Sequence, residues 1–311
     1  MGTSGAPINR CARAGHAAQP PHENRVVLES TPTGIVRPAR RPPGWVAPGP
    51  APVVPRDRPE VWPGLGEDLC YLTGDWRILQ LVRGHRWSLD DLVTAWFAIR
   101  QSQNPPARLA DLGCGIGAVL LMLAWRFPSA RCVGVEAQPL SVALARRSLA
   151  WNGAEHRCEV RLGDLRDPAT TPEGAVYDLV TATPPYLPPG TATEPQRPQQ
   201  APCHIEQRGG IDAYCIAAAR LLARGGRFVA CHAAAETARV AAAATTAGLA
   251  VESRRDVVPR DGKAPLFSVY AMRPAVEVNE CEVLPRLVIR DASGQRTEAF
   301  RALRQEMGMP A

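Results

Sequence analysis

Residues 108–117 read Arg-Leu-Ala-Asp-Leu-Gly-Cys-Gly-Ile-Gly. A short apolar run ends at Asp111 and then breaks into glycines at positions 113, 115 and 117. Residues 118–127 (AVLLMLAWRF) follow as a candidate buried helix. A strand, a glycine turn and a helix in that order let backbone approach a ligand closely, because glycine has no Cβ to obstruct it. Gly113, Gly115 and Ala118 also satisfy the G-x-G-x-x-G/A dinucleotide pattern, and Glu136 lies about where its ribose-binding acid should. The glycines alone therefore leave the ligand open.

Working outward, residues 131–136 (RCVGVE) form a second buried strand that again ends in an acid, and residues 141–151 are amphipathic and helical. Residues 158–162 give a third strand followed by Gly163-Asp164, and residues 177–181 a fourth running into Thr183-Pro-Pro-Tyr186. A helix at 212–222, a strand at 226–231 and an alanine-rich helix at 233–247 continue the alternation. Residues 251–258 and 266–272 read as an antiparallel pair around Asp261-Gly262. Such alternation predicts an α/β fold: a Rossmann-like, doubly wound, mostly parallel sheet with a terminal antiparallel strand pair and ligands at the carboxyl ends of its strands.

Four divisions are expected. Residues 1–64, rich in Pro, Ala, Gly and Arg without period, read as a disordered leader, with an organelle transit peptide as the lesser alternative. Residues 65–106 form a strand–helix extension: residues 71–81 have strand character, and Ser88 caps a helix with acids in its first turn. The sheet domain spans 107–273, and a strand at 284–290 with a helix at 297–307 fills 274–311.

Composition narrows the class. The chain has 311 residues, 45% of them hydrophobic, and no apolar run long enough for a bilayer, so no membrane partner is expected. The nine cysteines form no C-x-x-C pair, and Cys203-His204 has no second ligand pair, so no metal is expected. Scattered cysteines in apolar contexts fit a reducing, cytoplasmic setting. Much of the net charge of +6 lies before Gly64. That is compatible with RNA phosphates and equally with a solvated tail.

Asp111, Glu136 and Asp164 fall at successive strand ends. S-adenosylmethionine suits three acids: one for its methionyl ammonium, one for its ribose hydroxyls and one for its adenine amine. A dinucleotide would bring pyrophosphate to the glycine loop, where Asp111 repels it. The expected cofactor residues are therefore Asp111, Gly113, Gly115, Gly117, Glu136 and Asp164.

Asp111 to Gly117 resembles motif I of class I S-adenosylmethionine-dependent methyltransferases, and Val133-Gly-Val-Glu136 resembles their ribose-binding strand. Over Tyr71 to Pro310 the chain is similar to the bacterial tRNA(Val) adenine-N(6) methyltransferase family, relatives of the release-factor glutamine methyltransferases. The segment from Ile78-Leu-Gln80 to Thr94-Ala95 and the ending from Leu287 to Leu303 carry that closer likeness. It implies a tRNA-like RNA partner and transfer to an exocyclic amine.

After the fourth strand that family carries Asn-Pro-Pro-Tyr or Phe, whereas this chain has Thr183-Pro184-Pro185-Tyr186. These four are the expected catalytic residues. The prolines stiffen the turn, Thr183 accepts an amine hydrogen alongside the Ala182 or Pro184 carbonyl, and Tyr186 stacks on a planar acceptor. A hydroxyl lacks the fixed carbonyl of an amide, which keeps two alternatives open. One is a protein-glutamine or small-molecule methyltransferase; the other is an inactive binding module. Arg197, His204 and Arg208 in the long loop 186–210, and His85-Arg86, are candidate phosphate contacts. A monomer is expected.

Overall fold

Gly74 sits at φ 53°, in the left-handed region, and with Asp75 it turns the chain back on itself. The single strand expected over residues 71–81 is therefore a hairpin. Its strands β2 (Glu67–Thr73) and β3 (Trp76–Leu81) are antiparallel, and β1 (Ile35–Val36) pairs parallel to β2. Glycine fits this corner because the conformation would strain an L side chain. In the computed structural model the described residues are 1–2, 33–171, 174, 176–187, 190, 199, 203 and 205–311.

The hairpin leads into α1 (Leu89–Gln101). The alternating series then runs β4 (Arg108–Leu112), α2 (Ala118–Arg126), β5 (Arg131–Glu136), α3 (Pro139–Trp151), β6 (Cys158–Leu162) and β7 (Tyr177–Ala182). It continues with α4 (Ile211–Leu221), β8 (Leu222–Ala233), α5 (Thr237–Thr246), β9 (Leu249–Val258) and β10 (Phe267–Pro274). The chain closes with β11 (Glu282–Val288) and α6 (Glu298–Glu306).

Eight strands form one sheet in the order β11-β9-β10-β8-β7-β4-β5-β6. From β8 to β6 every pairing is parallel. β10 then lies antiparallel between β8 and β9, so the expected antiparallel pair is present, with its second strand inserted inside the first. Strand order reverses between β4 and β7. That reversal opens a crevice at their carboxyl ends, where ligands enter sheets of this kind.

Alternation along the strands divides the core into two layers. Leu109 and Leu179 pack with α1, α2 and α3, while Ala110, Leu112, Val180 and Ala182 pack with α4 and α5. The first helix after the glycine turn is buried on all sides, from Ala118 to Trp125, which explains its lack of a polar face. Among the described residues no helix is long and apolar enough to cross a membrane.

The expectation of a structureless segment up to residue 64 is corrected for residues 33–64. Arg37 pairs with the buried Asp68 at 2.7 Å, and Arg41 lies over the rings of Trp45 and Tyr71. The Val54 N–H donates to the Trp151 carbonyl, and Trp62 meets the Trp151 ring edge-on with centroids 4.6 Å apart. Single side chains entering an existing surface replace the periodic face that the sequence lacks. The first part of the leader, residues 3–32, lies outside the described residues.

Candidate active site

A cavity of about 650 Å³ opens at the crevice. This is within the range of small-molecule and cofactor sites, about 300–1,000 Å³. Its floor is the glycine turn. Gly113, Gly115 and Gly117 have φ of 63°, 54° and 87°, and Gly117 is the N-cap of α2. A Cβ on Gly113 would lie 2.4 Å from the Tyr214 hydroxyl oxygen, whereas one on Gly115 would meet nothing within 4 Å. Gly113 is thus required by packing, and Gly115 leaves its space to the cavity. Gly117 stands back from the wall and serves the turn into the helix.

Glu136 is 7% exposed and lines the cavity. Its two oxygens accept the N–H groups of Gly115 at 3.0 Å and Gln138 at 2.7 Å, which ties the end of β5 to the glycine turn. Burial raises its pKa, against the pull of those N–H groups. Asp164 also lines the cavity, and its carboxylate is held by Arg166 at 2.6 Å, which lowers its pKa.

Asp111 is placed differently from its expected role. It is 1% exposed and lies beneath the cavity rather than on its wall. One oxygen accepts the Thr181 hydroxyl at 2.8 Å, and Oδ2 is buried with no partner among the described residues. Burial pushes its pKa up to about 7. Two acids that the sequence offered only as helix-start residues, Asp90 and Asp91 of α1, are on the wall instead.

Thr183, Pro184, Pro185 and Tyr186 all line the same cavity. The Thr183 hydroxyl donates to Asp91 Oδ1 at 3.4 Å. Tyr186 turns its hydroxyl inward, 3.2 Å from Asp90 Oδ2 and 2.9 Å from Cys231 Sγ, while its ring tilts over His232 with centroids 5.4 Å apart. Of the other expected contacts, His85 and Arg208 line the cavity. Arg86 instead pairs with the buried Asp68 at 2.9 Å, so it supports the hairpin. Arg197 and His204 lie outside the described residues. The buried Gln199 accepts the His85 N–H and donates to Ser141 Oγ.

The residues fit S-adenosylmethionine on three counts. The glycine turn leaves open space at Gly115, carboxylates at Glu136 and Asp164 face one cavity, and a buried carboxylate oxygen of Asp111 has no hydrogen-bond partner among the described residues.

Residues 109–193 match a family model described as a methyltransferase domain. The release factor glutamine methyltransferase of Mycolicibacterium smegmatis is 34% identical over 174 residues, covering 53% of this chain and 60% of that protein. The tRNA1(Val) (adenine(37)-N6)-methyltransferase of Haemophilus influenzae is 28% identical over 213 residues, covering 67% of this chain and 84% of that one. This chain resembles the class I S-adenosylmethionine-dependent methyltransferases. The fold agrees with the crystal structure of a predicted O-methyltransferase from Agrobacterium tumefaciens, at TM-score 0.53 and 19% identity, covering 71% of this chain and 98% of that chain. The match spans less than two thirds of the length of the M. smegmatis relative.

Proposed function

We propose that this methyltransferase uses S-adenosylmethionine to methylate an exocyclic amine of a base in RNA. The observation that carries the reading is the Thr183 hydroxyl, whose proton is directed to Asp91 at the cavity wall. With its donor hydrogen engaged, the oxygen presents lone pairs, which is what an incoming amine hydrogen requires. When bound, the cofactor supplies an electrophilic methyl carbon. Glu136 and Asp164 would hold its hydroxyl and amine donors, and Asp111 would stabilise its positive charge from beneath the wall.

Thr183 orients the acceptor nitrogen so that its lone pair faces the methyl carbon. Pro184 and Pro185 keep that turn rigid, and the Tyr186 ring would supply a face for a planar group. The nitrogen that Thr183 orients would receive the methyl group from the bound cofactor and lose its proton to solvent. Positioning supplies most of the rate in such a transfer.

The RNA acceptor is supported by similarity to the H. influenzae tRNA methyltransferase, most of whose length is matched. Similarity to the M. smegmatis glutamine methyltransferase favours a second reading, a protein amide. Tritiated methyl transfer to bulk tRNA, ribosomal RNA and protein separates them. Label in N6-methyladenosine after nuclease digestion supports the first reading, and label confined to protein glutamine supports the second.

A further inference from the structure

Thr183 Oγ1 and Asp91 Oδ1 come from segments 92 residues apart and meet at 3.4 Å on the cavity wall. We propose that Asp91 is the positioning residue of the acceptor site. Its carboxylate accepts a hydrogen bond from the Thr183 hydroxyl and so leaves that oxygen's lone pairs free to accept. The proposal rests on the nitrogen-methylation reading given above, and it assigns a use to a residue that touches neither reacting atom.

Asp91 is suited to this because it is itself immobilised. It is the third residue of α1, and its Oδ2 accepts the N–H of the N-cap Ser88 at 2.9 Å. One carboxylate oxygen therefore closes the helix start, and the other faces Thr183. The side chain is 7% exposed, so water does not compete freely for either oxygen. A hydroxyl can rotate, and an ionised carboxylate is an acceptor only. The pair thus has one polarity while Asp91 is ionised. A protonated Asp91 could donate to the Thr183 oxygen instead, turning the hydroxyl hydrogen toward the acceptor nitrogen and opposing it.

The surroundings bring protonation within experimental reach. Asp90 lies on the same helix, Asp111 comes from β4, the Cys231 thiol from β8 and Cys203 from the segment after β7. Burial, then the Asp90 and Asp111 carboxylates, hold the Asp91 carboxyl well above the ordinary range, while the Ser88 N–H and the Thr183 hydroxyl pull it down. Turnover is accordingly expected to rise with pH as Asp91 ionises.

Asp91→Asn tests the polarity with shape preserved. The Ser88 N–H retains the amide oxygen, which leaves the amide NH2 to donate to Thr183. On full-length protein with bulk tRNA as acceptor, kcat is expected to fall by about tenfold or more and the pH step to vanish. Thr183→Asn carries its own acceptor carbonyl, so adding it to Asp91→Asn should restore much of the rate. An Asp91→Asn enzyme with the wild-type rate and pH step would overturn the proposal.

A second measurement needs no acceptor. In 13C-aspartate-labelled protein, Thr183→Val should move the Asp91 carboxyl titration upward by about half a unit or more, because the carboxylate loses a donor. Thr183→Ser should leave it in place. An unmoved midpoint in Thr183→Val overturns the pairing even if tRNA proves not to be the acceptor. Failure of tRNA methylation alone, with the midpoint moved, would instead overturn the RNA reading.

Discussion

The floor and the wall of the cavity are built in opposite ways. The floor, from Asp111 to Gly117 with Glu136, is made by consecutive backbone and one strand end, with Gly115 tied to Glu136 at 3.0 Å. The wall proposed to face the acceptor joins Asp90 and Asp91 from α1 with Thr183 and Tyr186 after β7, and Cys231 in β8 backs the Tyr186 hydroxyl. Backbone makes the first rigid and general, whereas the second depends on side chains drawn from distant segments. Under the proposed function the cofactor's place follows from local chain geometry, and acceptor choice is where single substitutions act.

The strongest way to break the floor is Gly113→Ala. The left-handed φ and the 2.4 Å approach to the Tyr214 hydroxyl oxygen leave no room for a methyl group. Cofactor affinity measured by calorimetry is expected to fall by about a hundredfold or more, roughly 2.7 kcal/mol. Gly115→Ala has open space and should cost stability only about 1–2 kcal/mol of backbone strain, read by denaturant titration. Equal effects of the two substitutions would show that packing does not distinguish the glycines.

Outside both regions, Trp62→Ala removes a ring packed on Trp151 and should cost about 3 kcal/mol, lowering Tm by roughly 5 °C or more. An unchanged Tm would mean that residues 33–64 do not contribute to the domain.

Tyr186 sharpens the wall. Tyr186→Ala should weaken acceptor binding by about 1–3 kcal/mol through the lost ring face. Tyr186→Phe, which loses only the hydroxyl anchor on Asp90, should cost about 1 kcal/mol. Steady-state KM values with bulk tRNA check both, and a Phe variant weaker than the Ala variant would contradict a stacking role.

The floor should also show a pH dependence. The Asp111 pKa is raised by burial from 3.8 to about 7. The folded chain therefore binds more protons at this site than the unfolded chain does. By linkage, its contribution is most favourable below 3.8 and weakens as pH rises from there to about 7. Asp111→Asn should flatten that slope in urea titrations across this window. If a cationic cofactor ionises Asp111, binding near pH 6 should release a proton, seen as an enthalpy that depends on the buffer.

The same contrast explains what could be read from the sequence. The motif from Asp111 to Gly117 announced strand, turn and helix because its elements are contiguous and each glycine adopts a left-handed φ. Thr183 to Tyr186 was legible as a turn at the end of a strand, and in the structure it lines the cavity. Asp91 was not legible as a partner, since an acid in the first turn of a helix already has a sufficient local explanation. The Gly74 corner was hidden inside a run with strand character on both sides. Residues 33–64 lacked any period because Arg37, Arg41, Val54 and Trp62 each dock singly. Asp111 was correctly placed at a strand end, but its burial depends on Thr181, 70 residues later.

The central claim, that this cavity holds S-adenosylmethionine on the glycine turn and its flanking acids, is tested most directly by isothermal titration calorimetry of the full chain. S-adenosylmethionine is expected to bind at a single site, and Glu136→Ala to weaken that binding by at least about tenfold, roughly 1.4 kcal/mol. Binding of a nicotinamide dinucleotide, with none of S-adenosylmethionine, would contradict the account.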